Sequence, residues 1–185
     1  MGGRGYVTGY GLSSSADLKA PEVSVIRDVT LDDAAAICSI YNPHVLGTTV
    51  TFEEEAVTVD VMRDRIAEVI SAHPWIVWEA SGEVVAYSYA AKWRLRSGYR
   101  YSVETTVYIA PDFQGQGLGI RLGTELLVRL RRLGLHRAMA GIALPNPGSV
   151  ALHERLGYRK VAHLDEVGRK FDRWIDVGYW QIDLA

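Results

Sequence analysis

The chain has 185 residues, 48% hydrophobic and 23% charged, with a formal net charge of -2 and one cysteine. This length suits one domain with a sizeable core, and the near-neutral charge gives no electrostatic reason to expect nucleic acid or an anionic membrane as partner. The lone Cys38 excludes an internal disulfide and a multi-cysteine metal site, so no metal is expected and a reducing cytoplasm is the expected compartment. No apolar run approaches the roughly 18 residues of a membrane span, and the first twenty residues lack the apolar core of a signal peptide.

Residues 1–21 are rich in Gly and Ser and offer little apolar surface to offset chain entropy, so a mobile extension is expected there. Tyr6, Tyr10 and Leu12 are candidates for docking it. Residues 22–185 are expected to form a single domain. Residues 23–29 read as a strand. Thr30 and Asp33 form a capping pair before a helix whose apolar face is Ala36, Ile37, Ile40 and Tyr41, and Pro43 is expected to end it. A loop follows, then a helix carrying Val59, Met62, Ile66, Val69 and Ile70. Residues 75–80 and 84–92 read as a hairpin across Ser81-Gly82-Glu83. A basic, aromatic connection over 93–101 leads to the next strand.

In that strand Val103, Thr105, Val107 and Ile109 alternate with Glu104, Thr106 and Tyr108. Leu118, Leu122, Leu126 and Leu130 then recur at helical spacing, and Gly134 stops the helix. Residues 137–143 form a strand, 149–156 a short helix, and 158–167 and 174–184 the closing strands. The order β-α-α-β-β-β-α-β-α-β-β predicts an α/β fold with a mixed sheet. Trp174 and Trp180 are expected to pack, with a subunit contact as a further role.

Between strand and helix stands Gln114-Gly115-Gln116-Gly117-Leu118-Gly119. Alternate glycines let backbone approach a ligand, and the helix start adds free N–H donors and a positive dipole end, so this is an anion site suited to phosphates. A Walker loop would need Gly-Lys-Ser/Thr, but Ile120-Arg121 follows Gly119. A dinucleotide fingerprint would need glycine at Ile120 and an acidic residue on the following strand, and 138–144 has none.

Gln-x-x-Gly-x-Gly resembles the pyrophosphate loop of the GNAT N-acetyltransferases. The resemblance narrows through Thr49-Val50-Thr51-Phe52, His73-Pro74-Trp75, Glu104-Thr105-Thr106-Val107-Tyr108, Leu144-Pro145-Asn146, His153-Glu154-x-Leu156-Gly157-Tyr158 and Asp176-Val177-Gly178-Tyr179-Trp180-Gln181. These look like the phosphinothricin and methionine sulfoximine branch, and cover the chain from about Val23 onward. The resemblance implies the acyl-CoA N-acyltransferase fold, with a mixed sheet flanked by about four helices. It also implies acetyl-CoA as co-substrate, a small amino-acid-like amine as acceptor, direct attack in a ternary complex, and a homodimer. Herbicide or antibiotic resistance is the role such an activity suggests.

An ammonium has no lone pair for attack on a thioester, so a base is needed. The resemblance assigns it to Glu104, whose alternative role is a solvated carboxylate. His153 stands where many relatives carry a tyrosine that protonates the leaving thiolate. It can act as acid, as a second base, or as structure. Val107, Tyr108 and Ile109 match the strand that meets the pantetheine arm. Gln114 to Ile120 match the pyrophosphate loop, and Asn146 and Ser149 match the arm contact, though Asn146 equally suits a turn. Arg121 is either a further charge or a solvated helix residue. Arg94 and Arg96 suit an anionic group on the acceptor, and Phe52, Trp93 and Tyr99 suit pocket walls. Two rivals stand beside this reading: the same fold acting on a polyamine, arylalkylamine or protein N-terminus, and a non-catalytic acyl-CoA sensor.

Overall fold

The computed structural model describes residues 24–185. The expected extension at 1–21 and the first strand's start at Val23 lie outside the described residues. The described elements follow the expected order: β1 (Ser24–Asp28), α1 (Ala34–Gly47), α2 (Val59–Ile70), β2 (Trp75–Ala80), β3 (Glu83–Lys92), β4 (Ser102–Ile109), α3 (Leu118–Arg132), β5 (Arg137–Ala143), α4 (Pro147–Arg155), β6 (Arg159–Lys170) and β7 (Arg173–Asp183). The strands form one seven-stranded sheet in the order β1-β2-β3-β4-β5-β7-β6. Among these strands β4–β5 is the parallel pair, and the other neighbours run antiparallel.

Strand alternation sends successive side chains to opposite faces, and each face is covered by helices. On one face the α3 leucines share one core with Ala86, Ala90, Val103, Ala138 and Ile142. On the other, α1 and α2 pack Ile37, Ile40, Val45, Met62 and Ile66 against Val77, Tyr87 and Tyr108. Cys38 is buried in this second core.

Three local readings need correction. Pro43 lies inside α1, which runs on to Gly47. The proline removes the N–H that Ser39's carbonyl would accept, but both residues are exposed, so water can serve that carbonyl. Burial of Tyr41 and Val45 on the same helix holds the last turn in place. The β6–β7 hairpin is also tighter than expected, because Phe171 and Asp172 take φ of 49° and 56° and close it as a two-residue turn without glycine. Finally, Trp180 is core, whereas Trp174 is 60% exposed and lies outside the core, with the Arg169 guanidinium 5.8 Å over its ring.

Candidate active site

Parallel strands β4 and β5 are laddered over Ser102–Arg137, Val103–Ala138 and Glu104–Met139. Beyond Glu104, β4 stays with β3 while β5 stays with β7, and the two strands diverge. A fork of this kind leaves the Val107 N–H and carbonyl and the Ile109 N–H on the open edge of β4, where an extended ligand arm can pair as a strand does. Tyr108, paired with Tyr87, turns its backbone groups to β3.

Glu104 stands at the crotch of the fork, on the α1/α2 side. Its carboxylate lies over the β5 backbone at Gly141. A Cβ on Gly141 would come 2.9 Å from Glu104 Oε1 and 3.1 Å from Tyr179 Cε1. Burial pushes the Glu104 carboxyl up, against the Arg94 charge and a hydrogen bond from the Gly141 N–H, and the net shift is upward. A half-buried carboxylate whose pKa sits closer to neutrality is a better proton acceptor than an ordinary surface glutamate. Trp93 meets the Tyr179 ring edge-on at 5.2 Å, and the Arg94 guanidinium lies 4.0 Å over the Trp93 ring.

Arg94, Arg96 and Tyr99 line a cavity of about 500 Å³ with His73, Lys92 and Leu133, and Glu104, Trp93 and Phe52 lie outside that lining. Of the three expected acceptor contacts, Arg94 is the one whose charge reaches Glu104. Phe52 sits at the other end of the same face, with its ring against the β6 backbone at Gly168.

Thr105 points to the opposite face. Its hydroxyl donates to the Met139 carbonyl at 3.1 Å, so the Tyr158 hydroxyl, 2.8 Å away, is the donor to Thr105. This buried pair bridges β4 to β5 just where the backbone ladder stops. The His153 ring meets Tyr158 edge-on at 5.1 Å. His153 Nδ1 lies 2.8 Å from the Ser149 carbonyl, which can only accept, so Nδ1 carries the proton and neutral His153 presents a bare Nε2. Burial pushes its pKa down despite that hydrogen bond, so near neutral pH it is an acceptor rather than an acid.

The glycine loop divides its labour. Gly115 and Gly117 take φ of 74° and 82°, and a Cβ on either would meet open space, so backbone conformation is what requires glycine there. Gly119 lies within α3, where a Cβ would come 3.1 Å from Leu152 Cδ2 and 3.3 Å from Ile109 Cδ1, so it serves packing. The Gln114 side chain donates to the Ile109 carbonyl and that of Gln116 to the Asp112 carbonyl, so the loop is braced from within. Among the described residues no side chain caps the start of α3, and the first-turn N–H groups through Ile120 have no acceptor within the helix, which suits an anion. Asn146 caps α4 through its side-chain oxygen, which accepts from the Ser149 N–H at 3.1 Å, leaving the Asn146 amide group free to donate.

Gly141, Tyr179, Thr105 and Tyr158 were not among the expected site residues. A glycine inside the 137–143 strand pattern is a signal of close approach and could have pointed to Gly141. Nothing local marks the hydroxyl pair, which joins positions 53 residues apart.

An acetyltransferase (GNAT) domain model matches residues 26–178. The chain is 40% identical to the phosphinothricin N-acetyltransferase of Streptomyces viridochromogenes, over 86% of this chain and 87% of that protein. It is 38% identical to the L-methionine sulfoximine/L-methionine sulfone acetyltransferase of Salmonella typhimurium, over 86% of this chain and 94% of that one. Among solved structures, a GNAT phosphinothricin acetyltransferase from Sinorhizobium meliloti in complex with acetyl-CoA superposes with a TM-score of 0.85 at 32% identity, covering 88% of this chain and 89% of that one.

Proposed function

The chain belongs to the GNAT acetyltransferase family and is an N-acetyltransferase, and on that premise we propose that it acetylates the amino group of a small amino-acid-like acceptor. The acceptor is of the phosphinothricin, methionine sulfoximine or methionine sulfone type, in keeping with what the relatives' names say of those proteins. The observation that carries this reading is the carboxylate of Glu104, held over Gly141 at the fork and within reach of the Arg94 charge. A base with a cation in the same region suits an acceptor carrying both an amine and an anionic group.

Acetyl-CoA, bound to a relative of the same fold, supplies an acetyl group activated as a thioester. Gly115, Gly117 and the N–H groups at the start of α3 through Ile120 would hold its pyrophosphate, with Gln114 and Gln116 bracing the loop and Leu118 anchoring the helix. The open edge at Val107 and Ile109, on either side of Tyr108, and the free amide of Asn146 would hold its arm. Glu104 takes the proton from the acceptor's ammonium. An N–H of the open edge is aimed to stabilise negative charge on the carbonyl oxygen. Arg94, with Arg96 and Tyr99, binds the acceptor's anionic group, while Trp93 and Phe52 wall the cleft. Ser149 fixes the His153 tautomer. After the freed amine attacks the thioester carbonyl, the nitrogen sheds a second proton. His153 would take up that proton at Nε2 and return it to the thiolate released as the C–S bond breaks. We further propose a cytoplasmic homodimer, in which the apolar surface of Val161, Val167 and Trp174 on the β6–β7 hairpin is the contact, and a resistance role follows from acetylating such acceptors. Among the described residues no helix is long and apolar enough to cross a membrane.

Thiol release from acetyl-CoA tests the reading, with phosphinothricin, methionine sulfoximine, methionine sulfone, spermidine, tryptamine and an N-terminal peptide as acceptors. Turnover confined to the first three supports it. Turnover confined to the acceptors without an anionic group overturns the arginine anchor. Binding without release on any of them favours the sensor.

A further inference from the structure

Lys170 is the last residue of β6 and is 2% exposed. An ammonium is rarely buried unless its donors are matched. Here Nζ donates to the Val45 carbonyl at 2.6 Å and to the Thr51 carbonyl at 2.8 Å. Val45 lies in the last turn of α1, where carbonyls have no helical partner and the dipole end is negative. Thr51 belongs to the loop between α1 and α2 that carries Phe52. One side chain therefore ties the β6–β7 hairpin to the helix end and to the loop together.

The loop is held from its other side as well. The Tyr41 hydroxyl is 2.7 Å from Thr51 Oγ1, and Arg65 grips Glu53 with both guanidinium nitrogens, at 2.7 and 3.1 Å. Phe52 projects between these anchors onto Gly168, where a Cβ would come within 2.2 Å of the ring. Ile175, paired with Gly168, and Tyr179, paired with Gly141 beside Glu104, share one face of β7 and stand four residues apart. That spacing corresponds to about 13 Å of floor at roughly 3.3 Å per residue. Phe52 closes the end of this strip away from Trp93.

We propose that Lys170 is a specificity-determining positioning residue: by clasping Val45 and Thr51 it fixes Phe52 as the end wall of the acceptor cleft, and so sets the length of side chain the enzyme accepts. This rests on the acceptor reading above.

The test compares wild type, Lys170→Met and Gly168→Ala on methionine sulfone and on ethionine sulfone, which is one methylene longer. Wild type should prefer the shorter acceptor, by the order of tenfold that one methylene in a tight pocket allows. Both variants should raise the KM for methionine sulfone and narrow that preference by about threefold or more, leaving the KM for acetyl-CoA in place. Gly168→Ala displaces the same ring with Lys170 intact, and covers the case in which Lys170→Met does not fold. A lower Tm with an unchanged acceptor ratio in both would overturn the proposal. If wild type acetylates neither sulfone, the acceptor reading fails, and amide exchange over residues 48–54 then decides the clasp. Faster exchange in Lys170→Met supports it, and unchanged exchange refutes it.

Discussion

Glu104 and Thr105 are consecutive on β4 and face opposite sides of the sheet at the position where its parallel pair comes apart. Glu104 reaches over Gly141 on the α1/α2 side, while Thr105 joins Tyr158 and the Met139 carbonyl on the α4 side. The carboxylate and His153 are therefore separated by the sheet and face each other only through the fork. An arm threaded there would have the proton acceptor for the amine on one side and the imidazole on the other.

Replacing Glu104 with Gln is expected to lower turnover by roughly 10²- to 10⁴-fold, the usual reach of general base catalysis, without loosening acetyl-CoA. Thiol release and a binding titration on the same preparation measure the two effects.

The same variant should be more thermostable than wild type at neutral pH. Glu104 has its carboxyl raised above the ordinary 4.5 in the fold, so folding favours the protonated form. That contribution is complete below the unfolded value and is lost as pH rises through the folded one. The Tm gap between Glu104→Gln and wild type should accordingly widen from acid to neutral pH. A gap that stays constant or reverses would mean the carboxylate is not desolvated.

In a pH profile of kcat/KM, the acid limb should lie above the usual glutamate range and persist in His153→Gln, because Glu104 sets it. If His153→Gln abolishes the limb, the base assignment moves to the imidazole.

Alanine at Gly117 and at Gly119 should fail differently. At Gly117 the left-handed backbone costs an L residue about 1–2 kcal/mol, and relief by reshaping the loop should raise the KM for acetyl-CoA roughly tenfold with little change in Tm. At Gly119 the new methyl group presses on Leu152 and Ile109, so overpacking of about 1–3 kcal/mol should lower Tm instead.

Tyr158→Phe and Thr105→Val should each cost about 1–3 kcal/mol by stranding a buried partner, and together less than their sum. Denaturant melts of the two single variants and the double variant close the cycle.

The strand, turn and helix over residues 103–133 were legible from periodicity. Alternation placed Glu104 and Val103 on opposite faces, and the leucine spacing marked α3 as amphipathic, while the face of the sheet it covers is set by packing. What stayed hidden was non-local or conformational. The Thr105–Tyr158 pair and the Lys170 clasp join positions far apart in the chain, and a single sequence carries no trace of such a meeting. Phe171 and Asp172 turn left-handed without the glycine that announces such a turn. Pro43 misled because burial along α1 outweighs one missing hydrogen bond. Gly119 looked like its neighbours in the loop, but its neighbours in space are leucine and isoleucine side chains.

The fork also has a meaning for how the molecule comes apart. β1 to β4 and β5 to β7 are each sewn by long antiparallel ladders, whereas among the described residues backbone bonds cross between the two groups only over the short stretch from Tyr101 to Glu104. Cooperative units tend to follow such divisions. In native-state hydrogen exchange, the amides along this seam should open at lower free energy than those within either group, with α3, packed on β2 to β4, and α4, packed on β5, meeting across it to keep the halves in step.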